Sequence, residues 1–151
     1  MKKILFTLPV LFLVVILTAC DGYVSSIPDT DVYFKRDINT LQLSPFGAYL
    51  YVTKPGTVPL YAVDRIGFGG LLIYHAQDNI FYAVDLACPK EVNANTRISP
   101  PDDLGMCKCE TCGEVYDMTF GQGSPTKGIA KEPLRHYTVS FDENDFILIT
   151  R

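Results

Sequence analysis

The sequence lacks several features that mark common classes of protein. It has no stripe in which basic residues alternate with aromatic ones, and 17 Asp and Glu outnumber 13 Lys and Arg, which argues against nucleic-acid binding. Its only histidines are His75 and His136, too few for a site built from several imidazoles. Beyond the first twenty residues it has neither a long apolar run nor an extended 3.6-residue apolar period. We therefore expect little helix and no membrane span in that part of the chain.

The N-terminal segment has the pattern of an export signal. Lys2 and Lys3 precede an apolar run over residues 4–17, which is shorter than the roughly 20 residues that a membrane-spanning helix needs. Residues 17–20, Leu-Thr-Ala-Cys, resemble the lipobox of bacterial lipoproteins. This resemblance implies that residues 1–19 are a signal peptide that is removed and that Cys20 receives the lipid. We expect a protein of the cell envelope that is lipid-anchored to a membrane and does not cross it.

The remaining chain divides into a short tether, residues 20–30, and one β domain, residues 31–151. Eleven Gly, ten Pro, nine Tyr and nine Phe favour β structure with many turns. The pattern predicts an antiparallel sandwich or small barrel, with a glycine-rich loop at 121–128 and at most one helical turn at 59–65. The predicted strands lie within residues 31–37, 48–53, 71–74, 80–86, 114–118, 135–141 and 146–150.

Four cysteines follow Cys20: Cys88, Cys107, Cys109 and Cys112. The last two form a C-x-x-C pair, whose thiolates can hold one metal ion or form a redox disulfide. Export favours disulfides, and four cysteines allow three pairings among which the sequence does not choose.

The motifs around these cysteines occur in a characteristic order. A strand leads to Cys-Pro at residues 88–89, and C-x-x-C-G follows at 109–113. Then come Val-Tyr-Asp at 115–117, the Gly- and Pro-containing loop, and Pro-Leu at 133–134. This order, over roughly residues 69–150, resembles the Rieske iron–sulfur domain family, in which C-x-H and C-x-x-H-G loops hold a [2Fe–2S] cluster. The resemblance implies a Rieske-like all-β fold with a two-loop site and a role in electron transfer.

Two positions depart from that family. Lys90 stands where its first histidine is expected and Cys112 where the second is, and an ammonium group has no lone pair for a metal. The resemblance assigns Cys88 and Cys109 to the two cysteine ligands, and Cys112 could replace an imidazole. Cys107 lies two residues before Cys109, on the same face of an extended chain, and could supply a fourth thiolate.

Three interpretations of the cysteines remain open. A [2Fe–2S] cluster held by cysteines would transfer electrons, at a potential lowered toward about −400 mV by the added thiolates. Zinc held by four thiolates would be structural. Without a metal, disulfides would join the two loops, and the domain would serve in binding or assembly with a partner protein. Catalysis by this chain alone is not expected, because the C-x-x-C pair does not begin a helix in a βαβ unit.

Overall fold

The structure is a computed structural model in which residues 24–151 are described. The predicted signal peptide, residues 1–19, and Cys20 lie outside the described residues. Ten β-strands and no helix occur in residues 24–151. The strands are β1 (Val32–Asp37), β2 (Tyr49–Val52), β3 (Arg65–Ile66), β4 (Leu71–His75), β5 (Phe81–Asp85), β6 (Met106–Lys108), β7 (Val115–Asp117), β8 (Ser124–Lys127), β9 (His136–Phe141) and β10 (Phe146–Thr150).

Seven of the strands form one antiparallel sheet in the order β2-β4-β5-β9-β10-β1-β3. One buried apolar cluster contains side chains from strands that lie far apart in this order. Its members include Phe34 on β1, Val52 on β2 and Ile73 on β4. The sheet is therefore curved around its own core, as in a small barrel. The prediction of an all-β antiparallel fold is confirmed.

Strand β4 is buried on both faces, and this feature positions the rest of the molecule. Leu71 and Ile73 point into the core enclosed by the curved sheet. Leu72 and Tyr74 point the opposite way, into a second buried cluster that contains Cys88, Cys107 and Cys109. Because successive side chains of a strand point to opposite faces, β4 contributes to both buried cores. It also explains why this strand has an unbroken apolar run rather than alternating apolar and polar residues.

A second antiparallel sheet, in the order β6-β7-β8, covers the outer cluster. Its strands have three or four residues, and two of them were not expected from the sequence. β8 lies within residues 121–128, which the sequence analysis described as a loop. Pairing with β7, where Tyr116 lies opposite Pro125, gives this Gly- and Pro-rich segment its extended form. Strand β3 was also missed, because its two residues become a strand only by pairing with β1.

The described part of the predicted tether lies against the domain. Ile27 is buried, and its carbonyl oxygen accepts a hydrogen bond from Arg135. The backbone N–H of Ser26 donates to Glu132, and its hydroxyl donates to the carbonyl of Pro89, which follows Cys88. Residues 25–29 therefore contact both the first cysteine loop and the segment before β9. Over residues 24–151, no helix is long and apolar enough to cross a membrane.

Candidate metal centre

The first cysteine lies in a loop anchored at the end of β5. Cys88 is three residues beyond Asp85, whose buried carboxylate accepts hydrogen bonds from the N–H groups of Gly69, Phe68 and Ala87 and from the Tyr137 hydroxyl. The Cys88 carbonyl accepts hydrogen bonds from the N–H groups three and four residues later, which turns the chain sharply. Four donors on one buried carboxylate hold the base of this loop rigidly, a role that sequence reasoning did not assign to Asp85.

The second loop, residues 109–113, is a tight knuckle. The Cys109 N–H donates to the Glu114 carbonyl, and the Gly113 N–H donates back to the Cys109 carbonyl. Gly113 has a φ of 76°, a left-handed conformation that glycine adopts without steric cost. The loop closure brings the two cysteines of the C-x-x-C pair to the same side of the chain.

Three of the four predicted ligands come together. The sulfurs of Cys88, Cys109 and Cys112 all lie within 4.8 Å of one another, and all four cysteines at residues 88–112 are free thiols. The Sγ atoms of Cys88 and Cys112 are 3.6 Å apart. Cys88 and Cys109 are fully buried, and Cys112 is partly exposed, so the group is open to solvent at Cys112. We call these three residues the thiol triad.

The three thiols of the triad differ in how readily they lose a proton. Burial opposes ionisation of Cys109, but hydrogen bonds from the N–H groups of Cys112 and Thr111 and from the Cys112 and Cys88 thiols outweigh it, so the Cys109 pKa is lowered. Burial, together with hydrogen bonding to Cys109 and Cys88, raises the pKa of Cys112 to about 12. Cys109 is thus the thiol of the triad that ionises most readily, and a bound metal cation would displace the protons of all three thiols.

The fourth candidate, Cys107, is not brought to the triad. Cys109 continues the extended chain after β6 in a bridge with Ile98, and Cys107 and Cys109 are both buried in the outer cluster, so the two cysteines share one side of the chain as expected. The Cys107 sulfur is nevertheless not part of the group that converges within 4.8 Å. Burial, with a contribution from Asp102, raises its pKa to about 12, so it remains a protonated thiol in an apolar site.

Lys90 and Glu114 form an ion pair beside the triad. The Lys90 Nζ is 3.1 Å from a carboxylate oxygen of Glu114, whose side chain is 1% exposed. The same carboxylate accepts hydrogen bonds from the N–H groups of Ile129 and Ala130. These donors, the N–H of Ile129 foremost, lower the Glu114 pKa. Glu114 thus connects the first loop, the second loop and the segment after β8. Position 128 favours glycine, because a Cβ there would collide with the Glu114 carboxylate.

A tyrosine hydroxyl also faces the triad. The buried Tyr116 hydroxyl lies 3.6 Å from the Cys88 sulfur. Burial, followed by the nearby Cys88, raises the Tyr116 pKa, so the phenol keeps its proton. The protonated hydroxyl contacts the Cys88 sulfur and is not a metal ligand.

The two histidines lie on the strand before the first loop and on the last hairpin. The His75 ring nitrogens face the Leu43 carbonyl and the Asn79 side chain, and His136 Nε2 faces the Gln122 carbonyl. Neither histidine belongs to the thiol triad.

This donor set does not fit a [2Fe–2S] cluster. Such a cluster takes four protein ligands, two on each iron. The only group of three or more candidate ligand atoms within 4.8 Å of one another in residues 24–151 is the triad, which has three members. Lys90 is paired with Glu114, and the histidine rings face other groups. Cys107 lies in the same buried cluster as Cys88 and Cys109, but its sulfur is not part of the converging group. The cysteines can hold a metal ion, but a two-iron cluster lacks its fourth ligand.

Comparison with known proteins gives only remote likenesses. No family model matches the chain, and no curated protein matches it. One similar solved structure is described as the small subunit of an NADH-dependent nitrite reductase from Mycobacterium tuberculosis, with 13% identity over 82% of this chain and 97% of that one and a TM-score of 0.45. Another is a chain from the complex of reduced oxygenase and oxidized ferredoxin in carbazole 1,9a-dioxygenase, with 17% identity, 72% and 94% coverage and a TM-score of 0.42. Likenesses this distant assign no family and no function.

Proposed function

We propose that this chain is a membrane-anchored lipoprotein with a Rieske-like domain, whose thiol triad holds a metal centre that serves in electron transfer. The observation that carries the proposal is the convergence of three sulfurs within 4.8 Å, contributed by two separate loops. Buried thiols from distant parts of a chain have no need to meet for packing alone. The convergence of three sulfurs favours a thiophilic metal cation as the component that they hold.

The Rieske-like assignment is supported by the order of the structural parts. The hairpin β4–β5 leads into the loop that carries Cys88, and the small sheet carries the second loop at residues 109–113. A final hairpin, β9–β10, closes the curved sheet against β1. This is the order that the sequence resemblance implies for the family, with the metal site at the two loops outside the main sheet.

Electron transfer is favoured by the chemistry and by the position of the triad. Thiolate ligands add negative charge and stabilise the oxidised form of a redox-active ion, so a low reduction potential is expected. Cys112 is partly exposed, so an electron could reach the centre without a change in fold. The ammonium of Lys90, paired with Glu114 beside the triad, supplies positive charge that offsets part of the charge of a thiolate-bound ion.

The membrane anchor would hold this centre close to the lipid surface. Ser26 contacts the carbonyl of Pro89, the residue after Cys88. Only five residues lie between Ser26 and the predicted lipidation site at Cys20, and the six residue steps span at most about 21 Å when fully extended. We therefore expect the redox partner to be a protein that works at the membrane surface.

A second candidate function rests on the closeness of Cys88 and Cys112. Their sulfurs are 3.6 Å apart and come from different loops, and an exported protein meets oxidising conditions. A disulfide between them would join the loops without metal. The domain would then serve in binding or assembly.

Metal analysis of the membrane-extracted protein separates these functions. The full-length product is extracted in mild detergent without oxygen and assayed for metal, acid-labile sulfide, free thiols and the mass of its N-terminal peptide. Bound iron or copper that can be reduced and reoxidised, together with a lipid-modified Cys20, would support the proposal. A metal-free protein with a Cys88–Cys112 disulfide would refute the metal centre, and an unmodified Cys20 would refute the anchor.

A further inference from the structure

The geometry of the thiol triad points to a centre with a single metal ion. We propose that Cys88, Cys109 and Cys112 bind one thiophilic, redox-active ion, of the class of Cu⁺ or Fe²⁺, through three thiolates and leave its remaining position open. This inference rests on the proposed metal function and replaces the two-iron cluster that the sequence resemblance implies. Soft thiolate ligands select metals of this class.

The first argument is distance. Three thiolates bound to one zinc-like ion at about 2.3 Å have neighbouring sulfurs about 3.8 Å apart. The triad has one pair at 3.6 Å, and no pair exceeds 4.8 Å, so small side-chain rotations would seat an ion. In a two-iron cluster, one of three thiolates belongs to the second iron and lies across the bridging sulfides. All three sulfurs would not then lie this close together.

The second argument is the absence of a fourth ligand among the neighbouring side chains. Lys90 has no lone pair and is paired with Glu114. The Tyr116 hydroxyl contacts the Cys88 sulfur. The Glu114 carboxylate is occupied by two backbone N–H groups in addition to Lys90. Cys112 is partly exposed, so solvent reaches the site at this residue and can take the remaining position of the ion.

The third argument is that the backbone fixes the C-x-x-C loop before an ion arrives. The Cys109 N–H donates to the Glu114 carbonyl, and the Gly113 N–H donates to the Cys109 carbonyl, which closes the loop at residues 109–113. A loop held by its own backbone orients its ligands in advance. The knuckle therefore presents two of the three ligands with little rearrangement.

The test is a titration of the reduced, metal-free, full-length protein with Co²⁺, which gives intense sulfur-to-metal absorption when bound by thiolates. One Co²⁺ per chain is expected, with displacement by one equivalent of Zn²⁺. Cys109→Ser and Cys112→Ser should each weaken binding at least about 100-fold, because each removes one of three thiolates. Cys107→Ala, which removes a nearby thiol outside the triad, should leave the stoichiometry unchanged. Because Cys112 is partly exposed, its variant is expected to fold even if the buried change at Cys109 does not.

A parallel reconstitution with Fe²⁺ and sulfide distinguishes the ways in which the inference could fail. Two irons and two sulfides per chain would overturn the single-ion site and leave the proposed metal centre standing. A requirement for Cys107 in the Co²⁺ titration would also overturn it. Failure to bind any metal under reducing conditions would overturn both the inference and the proposed function. One ion per chain, without sulfide and independent of Cys107, would support the inference.

Discussion

The curved seven-stranded sheet and the small three-stranded sheet are stabilised in different ways. In the large sheet, β1 pairs with β10 over five residues, and the enclosed core is apolar. In the small sheet, β6 and β7 pair over three residues, and the nearby loops depend on polar contacts to Glu114 and on thiols. The comparison teaches that the fold resides in the large sheet and the chemistry in the small one. Changes to one should therefore leave the other largely intact.

The largest expected effect comes from damaging the large sheet. Phe34 is fully buried in the core that the curved sheet encloses. Phe34→Ala should lower the free energy of unfolding by about 3–5 kcal/mol, because it removes a large apolar side chain and leaves a cavity. Denaturant unfolding measures this change. The neighbouring Tyr33→Ala, on the exposed face of the same strand, should cost about 1 kcal/mol or less. Equal losses for the two variants would contradict the assignment of the core.

Metal removal should destabilise the small sheet and the Cys88 loop and leave the large sheet unchanged. An ion at a free concentration of 100 times its dissociation constant stabilises the protein by about 2.7 kcal/mol, which a chelator would reverse. Hydrogen exchange should then accelerate in residues 88–96 and 107–117 and remain unchanged in β1 and β10. Exchange that accelerates uniformly in both sheets would show that the two regions are one cooperative unit, contrary to the comparison.

The Glu114 ion pair should make the small sheet sensitive to acid. The folded-state pKa of Glu114 lies below its ordinary value of 4.5, so its stabilising contribution is complete above that value and is lost as pH falls through the folded pKa. Glu114→Gln should remove this acid dependence and accelerate exchange of the Ile129 and Ala130 amides. Amide exchange measured between pH 3 and pH 6 tests this prediction.

Glu110→Gln provides the matched control for Glu114. Glu110 pairs with Lys108 on the surface, and its side chain is 75% exposed. Because exposed ion pairs contribute little, this variant should keep the acid dependence of the parent protein. If both glutamine variants behaved alike, the buried carboxylate would not be what joins the two loops.

The smallest effect is expected at the hydroxyl that faces the triad. Tyr116→Phe removes the hydroxyl that contacts the Cys88 sulfur. Metal affinity should fall about tenfold, which is the lower end of the effects seen when a hydrogen-bond partner of a metal ligand is removed. Tyr51→Phe removes a hydroxyl that donates to the Ile98 carbonyl in the same region and should leave affinity unchanged. Competition with a chromophoric chelator measures both. An equal loss in the two variants would indicate general loosening rather than contact with sulfur.

The sequence predicts the large sheet better than the small one, for a physical reason. Strands such as β4 and β9 contain enough apolar and aromatic residues to be recognised locally, and both were expected near their observed positions. β6 and β8 are three and four residues long, and β8 contains a proline, so only pairing with β7 makes them strands. Short strands made by tertiary contact leave little local signal.

The candidate site was predictable from the C-x-x-C spacing and from the resemblance in motif order. These signals identified the C-x-x-C pair and Cys88, and the structure brings their sulfurs together. Cys107 was included because it shares a face of the extended chain with Cys109, and both are buried in one cluster, but a shared face does not bring the Cys107 sulfur into the converging group. The role of Glu114 had no sequence signal, because a glutamate after a glycine is ordinary and its burial depends on the distant segment at 128–130.

The central claim is that three thiolates from two loops surround one ion, and X-ray absorption at the edge of the bound metal tests it most directly. For the metal-loaded full-length protein, this account predicts three sulfur neighbours at about 2.3 Å and no second metal nearby. A metal–metal distance with bridging sulfide, or a first shell made mainly of nitrogen and oxygen, would contradict it.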